Sequence, residues 1–231
     1  MGILYLVIKP MPSTDRIFEI HSYLKSSFPR AENRTYLHSL TKNLNNLSIS
    51  RVVLSRLSAL ALLPPLLKNA GMDPTSMLLA RDQYGRPFCA NASNDPVFDF
   101  NISHSKEHIA CALWIGKGRV GIDVEEPMTS QRALSLIRRY CTNGEHNLLK
   151  TLSNEQCALE FTRIWTVREA IAKQEGRGEP LRYDASTPPP SVIIKSGVLT
   201  DTNAYLSICL PCVESFDRSV LSHDSLIPTW I

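Results

Sequence analysis

Alternating apolar and polar side chains mark the strands of this chain. Every second residue is apolar in 97–103, VFDFNIS, which predicts a half-buried strand. The near-continuous apolar runs at 1–9 and 109–115 predict two more strands, the second fully buried. Residues 119–125 follow a GKG turn, and we expect them to return as the hairpin partner of the 109–115 strand.

Apolar residues spaced three and four apart predict the helices. The pattern is clear at 14–28 and at 48–63, where serines suited to an N-cap begin the second helix. Two further helices are expected at about 130–150 and 156–175, before strand-like runs at 191–195 and 204–210. This order predicts an α+β chain of two similar-sized units, which meet near Gly116–Gly118.

Composition and charge restrict the class of protein. The 231 residues are 43% hydrophobic and 20% charged, as in a globular chain. A net charge of +3 favours anionic partners, but the sequence lacks the dense basic runs of a nucleic-acid binder. The apolar run at 57–67 is interrupted by two prolines and is too short to span a bilayer, and the amino terminus lacks the features of a signal peptide. We therefore expect a cytoplasmic protein that does not bind membranes.

The six cysteines are scattered, and several lie inside apolar runs, where a thiol behaves as a small core residue. The single C-x-x-C, CLPC at 209–212, has no second pair and no histidine tract near it. Ordinary packing is therefore the favoured interpretation of these cysteines, ahead of zinc binding or redox chemistry.

Two acidic residues interrupt the apolar stretch VGIDVEEP at 120–127. The strand period directs Gly121, Asp123 and Glu125 to one sheet face, where the glycine leaves room beside the carboxylates. Taken alone, such a pair of acids indicates only a solvated strand face, because carboxylates are normally exposed.

The segment FTRIWTVREAIAKQEGRG at 161–178 is an amphipathic helix that is expected to end at its glycines. Glu169 and Lys173 are one turn apart, so they share a face, and alone they would indicate a surface ion pair. If this helix packs on the acidic strand face, Glu169 would join Asp123 and Glu125 as a third carboxylate. Three carboxylates with open positions for water and phosphate oxygens would suit Mg²⁺, or Mn²⁺, which has similar preferences.

A third polar stretch, NISHS at 101–105, ends the alternating strand. Its Ser103 and His104 offer hydroxyl and imidazole donors that could hold a phosphate oxygen. A single histidine at a strand end is more often a structural residue, so this stretch is weak on its own.

Four motifs in this order, GRP, FNISHS, VGIDVEEP and WTVREAIAKQEGRG, resemble those of the 4′-phosphopantetheinyl transferases, and specifically their long, surfactin-synthetase-activator branch. The similarity covers roughly residues 84–181. It implies two pseudo-symmetric α/β subdomains, with coenzyme A in the cleft between them and a monomeric enzyme. We predict subdomains at 1–117, which contacts coenzyme A, and 118–231, which carries the metal site.

The resemblance also implies roles for individual residues. The metal ligands would be Asp123, Glu125 and Glu169. Lys173 would contact the coenzyme A phosphates, and Glu169 would act as the general base, directly or through a water bound to the metal. The remaining coenzyme A contacts would be Ser103 and His104 near the 3′-phosphate, Arg86 and Pro87 beside the adenine, and, by a looser match, Arg51 and Arg56.

Two departures from the family pattern stand out. Arg168 occupies the position before the helix glutamate, where the family usually has lysine, and this change keeps the charge but alters the geometry. The segment EGRGEPL at 175–181 is shorter and more acidic than usual, which predicts a difference in carrier-protein recognition.

The activity implied is Mg²⁺-dependent transfer of 4′-phosphopantetheine from coenzyme A to a serine of an apo acyl or peptidyl carrier protein, with release of 3′,5′-ADP. Acidic carriers of fatty-acid, polyketide or nonribosomal-peptide synthesis would all suit a mildly basic chain. Two alternatives stay open: a Mg²⁺-dependent phosphohydrolase acting on coenzyme A, and a non-catalytic module that binds coenzyme A or a carrier protein.

Overall fold

The computed structural model describes residues 2–41, 47–91, 97–178, 191–199, 202–212 and 216–220, with only the backbone described for 47–50 and 216–220. Two compact units are present: Met1–Arg119 with Val213–Ile231, and Val120–Cys212. The mixture of helices and sheets agrees with the predicted α+β class. The predicted pseudo-symmetry of the two units stays a prediction.

The described part of the first unit contains these helices and strands in chain order: β1 (Gly2–Pro10), α1 (Ile17–Ser27), α2 (Ala31–Thr41), α3 (Leu47–Ala61), α4 (Leu63–Asn69), β2 (Leu79–Arg81), β3 (Pro87–Cys89), β4 (Phe98–His104) and β5 (His108–Ile115). The second unit follows with β6 (Gly121–Glu125), α5 (Ser130–Tyr140), α6 (Asn143–Leu149), α7 (Asn154–Glu175), β7 (Val192–Val198) and β8 (Tyr205–Pro211). The strand β9 (Phe216–Val220) returns to the first unit.

The first unit is built around a four-stranded sheet in the order β4-β5-β1-β9. β1 and β4 both pair antiparallel with β5, whose apolar sequence reflects burial on both faces. The apolar side chains of β4, led by the buried Phe100, join a core with α1, α3 and α4. The other face of β4 is also covered, because Asn101 and Ser103 are each only 3% exposed. The predicted strand is confirmed, but it is more deeply buried than its alternation suggested.

One helix of this unit, α2, is not singled out by the apolar spacing of the sequence. Its polar Asn33 is fully buried and connects the helix to the segment entering β2. The Asn33 amide donates to the Met77 carbonyl at 2.7 Å and accepts from the Leu79 backbone N–H at 2.7 Å. A partner more than forty residues away therefore explains this buried polar residue.

The carboxyl-terminal strand differs from the predicted subdomain boundaries. β9 runs parallel to β1, with Gly2 opposite Phe216 and Leu6 opposite Val220. β9 therefore belongs to the first unit, although the sequence assigned its residues to a subdomain spanning 118–231. The reason is that β1 has a free sheet edge on the side away from β5, which β9 occupies.

The second unit has a three-stranded antiparallel sheet in the order β6-β8-β7. The prediction that 119–125 returns as the hairpin partner of 109–115 is wrong. Both edges of β5 are already paired, with β1 and β4, and β6 pairs with β8, so that Asp123 lies opposite Ser207. The face assignments of the β6 side chains follow from the strand period alone and do not depend on the partner strand.

Local capping sets the helix boundaries of the second unit. The helical stretch expected at 130–150 is divided into α5 and α6, because Thr142 begins a new helix through a capping box with Glu145. Ser153 and Gln156 form another capping box at the start of α7. As predicted, α7 ends at a glycine, Gly176, which has a left-handed φ of 72°.

The stretch Arg51–Asn69 is long and apolar enough to cross a membrane by length and composition. It comprises most of α3 with α4, and 78% of its most apolar window is buried inside the protein. Such burial is typical of a core helix, and the Leu57, Leu60 and Leu63 side chains are at most 1% exposed within the core of the first unit.

The cysteines behave as the sequence predicts. Cys111 lies in the core of the first unit, and Cys141, Cys157 and Cys209 lie in that of the second. All are free thiols, and Cys212, the other half of the C-x-x-C, is exposed. Ordinary packing is therefore sufficient to explain the four buried cysteines.

Candidate functional site

The predicted contact between the acidic strand and the amphipathic helix is present in the second unit. α7 packs across the face of β6 and β8 that carries Gly121, Asp123 and Ser207. The hydroxyl of Ser207 hydrogen-bonds to that of Thr166 on α7 at 3.1 Å, which identifies this face independently of the acids. The sequence hypothesis that Glu169 approaches the carboxylates of β6 is thus supported by the packing of these elements.

Gly121 allows this close packing. A Cβ atom at this position would lie 1.9 Å from the carbonyl oxygen of Ala170 and 2.7 Å from the backbone nitrogen of Gln174. Because both are backbone atoms, no side-chain rotation could relieve the clash, so the absence of a side chain lets α7 approach β6. The glycine that the sequence placed beside the carboxylates therefore sets the distance between the two elements that bear them.

Lys173 bridges the helix and the strand. Its Nζ donates to Asp123 Oδ1 at 2.7 Å and to the carbonyl oxygen of Ile122 at 3.1 Å. The Asp123 side chain is 6% exposed and that of Lys173 is 27% exposed, so this ion pair is largely shielded from water. Lys173 therefore neutralises a buried carboxylate, instead of forming the surface ion pair that its i, i+4 spacing from Glu169 would indicate alone.

Burial and the charge of Asp123 raise the pKa values of the two glutamates of this cluster. Burial and then the negative charge of Asp123 raise the pKa of Glu125 to about 7. Burial also raises the pKa of Glu169, where the Lys173 charge opposes the shift and Asp123 adds to it. Asp123 thus lies near both glutamates, and the cluster carries an excess of negative charge that a cation would stabilise.

The chemistry of these donors suits a hard divalent cation, since carboxylate oxygens are the ligands that Mg²⁺ prefers. Among the residues that the structure describes, no three histidine, cysteine or acidic side chains converge into a ready-made metal cage. Instead, the ammonium group of Lys173 lies against Asp123. The assignment of Asp123, Glu125 and Glu169 as metal ligands stays a prediction, which their shared location and charge support.

The raised pKa of Glu125 predicts how stability depends on pH. A carboxyl group with a higher pKa in the folded state than in the unfolded state stabilises the fold when protonated, and this contribution is lost as the pH rises through the folded pKa. With a chelator present, the melting temperature of the wild-type protein should therefore fall, relative to that of Glu125→Gln, as the pH rises from 4.5 to about 7. Melting temperatures of both proteins across this range test the expectation, and parallel curves would contradict it.

Arg168, next to the predicted catalytic glutamate, lies away from this cluster. Its side chain is fully buried. One terminal nitrogen donates to the Tyr140 carbonyl and the other donates to Glu145 Oε2, each at 2.5 Å. Adjacent residues of a helix point about 100° apart, so Glu169 and Arg168 serve different neighbours. The sequence identified Arg168 as a departure from the family pattern but gave no sign of its burial or of its partner Glu145.

The first unit contains a separate cavity of about 430 Å³. Its described lining residues are Asp82, Arg86, Phe88, Cys89, Phe98, Asp99, Phe100, Gly118 and Arg119. Arg86 NH2 contacts Asp99 Oδ2 at 2.5 Å and donates to the Phe100 carbonyl at 2.9 Å. Burial lowers the pKa of Arg86 and the neighbouring Arg119 lowers it further, whereas Asp99 and Asp82 raise it. The cavity thus combines aromatic side chains with two arginines and two aspartates, and one of these arginines, Arg86, is paired with Asp99.

The other predicted coenzyme A residues are not among those lining this cavity. Pro87 is buried beside Arg86 in β3, and Ser103 is buried in β4, whereas His104 is exposed at the end of that strand. Arg51 and Arg56 are exposed on α3. The cavity therefore includes Arg86 alone from the predicted set and adds Arg119, which the sequence analysis missed, although it follows the GKG turn directly.

Comparison with known proteins identifies the family. The sequence model of the 4′-phosphopantetheinyl transferase superfamily matches residues 119–193, the segment that holds β6 and α7. The chain is 28% identical to the 4′-phosphopantetheinyl transferase Sfp of Bacillus subtilis, over 49% of this chain and 48% of that protein. It is 31% identical to the 4′-phosphopantetheinyl transferase HetI of Nostoc sp., over 47% of this chain and 45% of that protein.

The chain therefore spans about half the length of those two relatives. The match to the 4′-phosphopantetheinyl transferase AcpT of Salmonella typhimurium is longer, with 32% identity over 63% of this chain and 72% of the relative. A match of this extent, together with the family segment that carries the acidic strand and its helix, shows that the chain belongs to the 4′-phosphopantetheinyl transferase superfamily.

Proposed function

We propose that this protein transfers 4′-phosphopantetheine from coenzyme A to a serine hydroxyl of an apo acyl or peptidyl carrier protein, in a Mg²⁺-dependent reaction that releases 3′,5′-ADP. The observation that carries the proposal is the cluster of Asp123, Glu125 and Glu169 between β6 and α7. It lies within the segment matched by the superfamily.

Each step of the proposed transfer reaction can be matched to specific residues. The serine Oγ attacks the β-phosphorus of the coenzyme A pyrophosphate, the new O–P bond forms, and the P–O bond to 3′,5′-ADP breaks. The serine proton passes to Glu169, whose pKa is raised by burial toward the range in which a carboxylate is an effective base. When bound by the three carboxylates, Mg²⁺ would neutralise charge on the pyrophosphate oxygens as a Lewis acid.

Lys173 and Arg86 would bind the anionic substrate. The Lys173 ammonium lies on the carboxylate face and stays partly exposed, so it could donate to a phosphate oxygen there. In the first unit, Arg86 and Arg119 line a cavity with aromatic walls, which supports binding of the nucleotide end of coenzyme A. Ser103, His104, Pro87, Arg51 and Arg56 remain proposed contacts on the sequence resemblance.

The surface of α5 supports an acidic carrier as the partner. Arg132, Arg138 and Arg139 are exposed on this helix, and seven residues, or about two turns, separate Arg132 from Arg139 on one side of it. The positive charge of Arg132 lowers the pKa of Glu125, which indicates that the start of α5 lies near the carboxylate cluster. A basic helix surface that begins near the proposed reaction site would steer an acidic domain toward it.

Intact-mass spectrometry of apo-carrier proteins tests the proposal. Each carrier is incubated with the full chain, coenzyme A and Mg²⁺, and a parallel reaction contains a chelator. We expect a chelator-sensitive gain of about 340 Da, the mass of the phosphopantetheine group transferred to serine. Consumption of coenzyme A without a mass gain would favour a phosphohydrolase, and binding without either change would favour a non-catalytic module.

A further inference from the structure

A buried arginine joins three helices of the second unit. Arg168 projects from the middle of α7, and its side chain is fully excluded from water. One terminal nitrogen contacts the carbonyl of Tyr140, the last residue of α5, and the other contacts Glu145 in the first turn of α6. The carbonyls at a helix carboxyl terminus lack partners within the helix, so Arg168 also caps α5.

The partner of Arg168 is itself rigidly held. Glu145 Oε2 accepts hydrogen bonds from the backbone N–H of Thr142 at 2.8 Å and from its hydroxyl at 3.0 Å, and Glu145 is 6% exposed. Two buried charges are seldom more stabilising than apolar side chains of the same volume, because both must be removed from water. A large net gain in stability is therefore not expected from the pair, but its contacts join α7 to the junction of α5 and α6.

The neighbouring residue on the same helix is the acid of the carboxylate cluster. Glu169 follows Arg168 directly, so a rotation or shift of α7 that broke the Arg168 contacts would also move the Glu169 carboxylate relative to Asp123. The two ends of α5 are involved as well. Arg132, in its first turn, lies near Glu125, and Arg168 caps its carboxyl terminus. A single guanidinium thus connects the helix bearing Glu169 to the helix whose first turn lies near Glu125.

We propose that Arg168 is a positioning residue for the carboxylate cluster, acting through Glu145 and the Tyr140 carbonyl. It contacts neither substrate nor metal in this role, and the inference rests on the proposed function because it requires the cluster to bind a divalent cation. The planar guanidinium reaches two acceptors in fixed directions, which a lysine ammonium at the same position could not reproduce.

The test separates positioning from stability. Arg168→Met leaves Glu145 buried without its cation and should lower the melting temperature. Arg168→Met/Glu145→Gln removes both charges but keeps an oxygen acceptor for the Thr142 N–H and hydroxyl, so it should restore much of the melting temperature. Arg168→Lys keeps the charge, and Arg163→Met, which alters a partly exposed arginine paired with Glu160 on the same helix, is the matched control. The probe is Mn²⁺ alone, with free Mn²⁺ measured by electron paramagnetic resonance at a temperature where each variant is folded.

We expect the double variant to bind Mn²⁺ about tenfold more weakly than the wild type, as when residues that orient metal ligands are replaced. Arg168→Lys should bind about threefold more weakly, because it loses one of the two directed contacts. Arg163→Met should bind normally. If the double variant fails to fold, Arg168→Lys decides the question.

Wild-type Mn²⁺ affinity in a folded Arg168 variant would overturn the positioning role and leave the proposed function intact. Glu169→Gln in the same Mn²⁺-binding assay tests the proposed metal site itself. If the wild type binds no Mn²⁺, or if Glu169→Gln binds it as well as the wild type does, the proposed metal site fails and the positioning role fails with it.

Discussion

Replacing Asp123 by Asn, or Glu169 by Gln, should reduce phosphopantetheine transfer about 10³-fold, since the metal is expected to supply several kcal/mol of charge stabilisation. The fold should survive both changes. Glu169→Gln removes a charge that burial and then Asp123 disfavour, and in Asp123→Asn the amide oxygen can still accept from Lys173 Nζ. Initial rates from the intact-mass assay measure the loss of activity, and thermal denaturation confirms that each variant is folded.

Glu160→Gln is the matched control for this experiment. Glu160 is an acid on the same helix, but it pairs with Arg163, with both side chains partly exposed, so its replacement should leave the rate within about twofold of wild type. Normal transfer by either Asp123→Asn or Glu169→Gln would contradict the assignment of these acids to the metal site. Equal losses in all three variants would indicate a general effect of removing negative charge.

Gly121→Ala should destabilise the second unit by about 3 kcal/mol, the upper part of the usual range for overpacking a core. The added Cβ would lie 1.9 Å from the Ala170 carbonyl oxygen, so α7 would have to move away from β6. Because α7 carries Glu169 and Lys173, the displacement should also weaken Mn²⁺ binding. Urea denaturation followed by circular dichroism measures the stability change.

Gly144→Ala is the corresponding control. Gly144 lies in α6, where a Cβ would have nothing within 4 Å, so alanine should stabilise the helix by up to about 1 kcal/mol. Opposite shifts of the urea midpoint in the two variants are therefore expected. An unchanged midpoint in Gly121→Ala would show that α7 does not pack on β6 as closely as the Gly121 contacts require.

The two elements of the carboxylate cluster were predictable because their patterns are local. Alternation along β6 put Asp123 and Glu125 on one face whichever strand paired with it. The helical period of α7 put Glu169 and Lys173 one turn apart, and Gly176 ended the helix where expected. The packing of this helix on that strand was only a hypothesis, but Gly121 was a visible sign of it, since a glycine in a strand often marks a close approach.

The contacts of the charged residues were not predictable from these patterns. Lys173 pairs with Asp123, fifty residues away, and Arg86 pairs with Asp99 on another strand. Arg168 stood out in the sequence only as a departure from the family pattern, with nothing to indicate that it is fully buried. Its charge is buried against Glu145, which is held in place at the start of α6. The residues of α7 alone therefore could not reveal this partner.

The sequence by itself therefore determined the type of most main elements, though not α2, and the strand face on which Asp123 and Glu125 lie. It also contained the motifs of the family. The tertiary structure decided the partners: β8 in place of β5 for β6, β1 for the carboxyl-terminal β9, and Asn33 as the link between α2 and the segment entering β2. The physical reason is that side-chain period is a property of a few consecutive residues. Strand pairing and buried ion pairs depend on which distant segments compete for the same edge or charge.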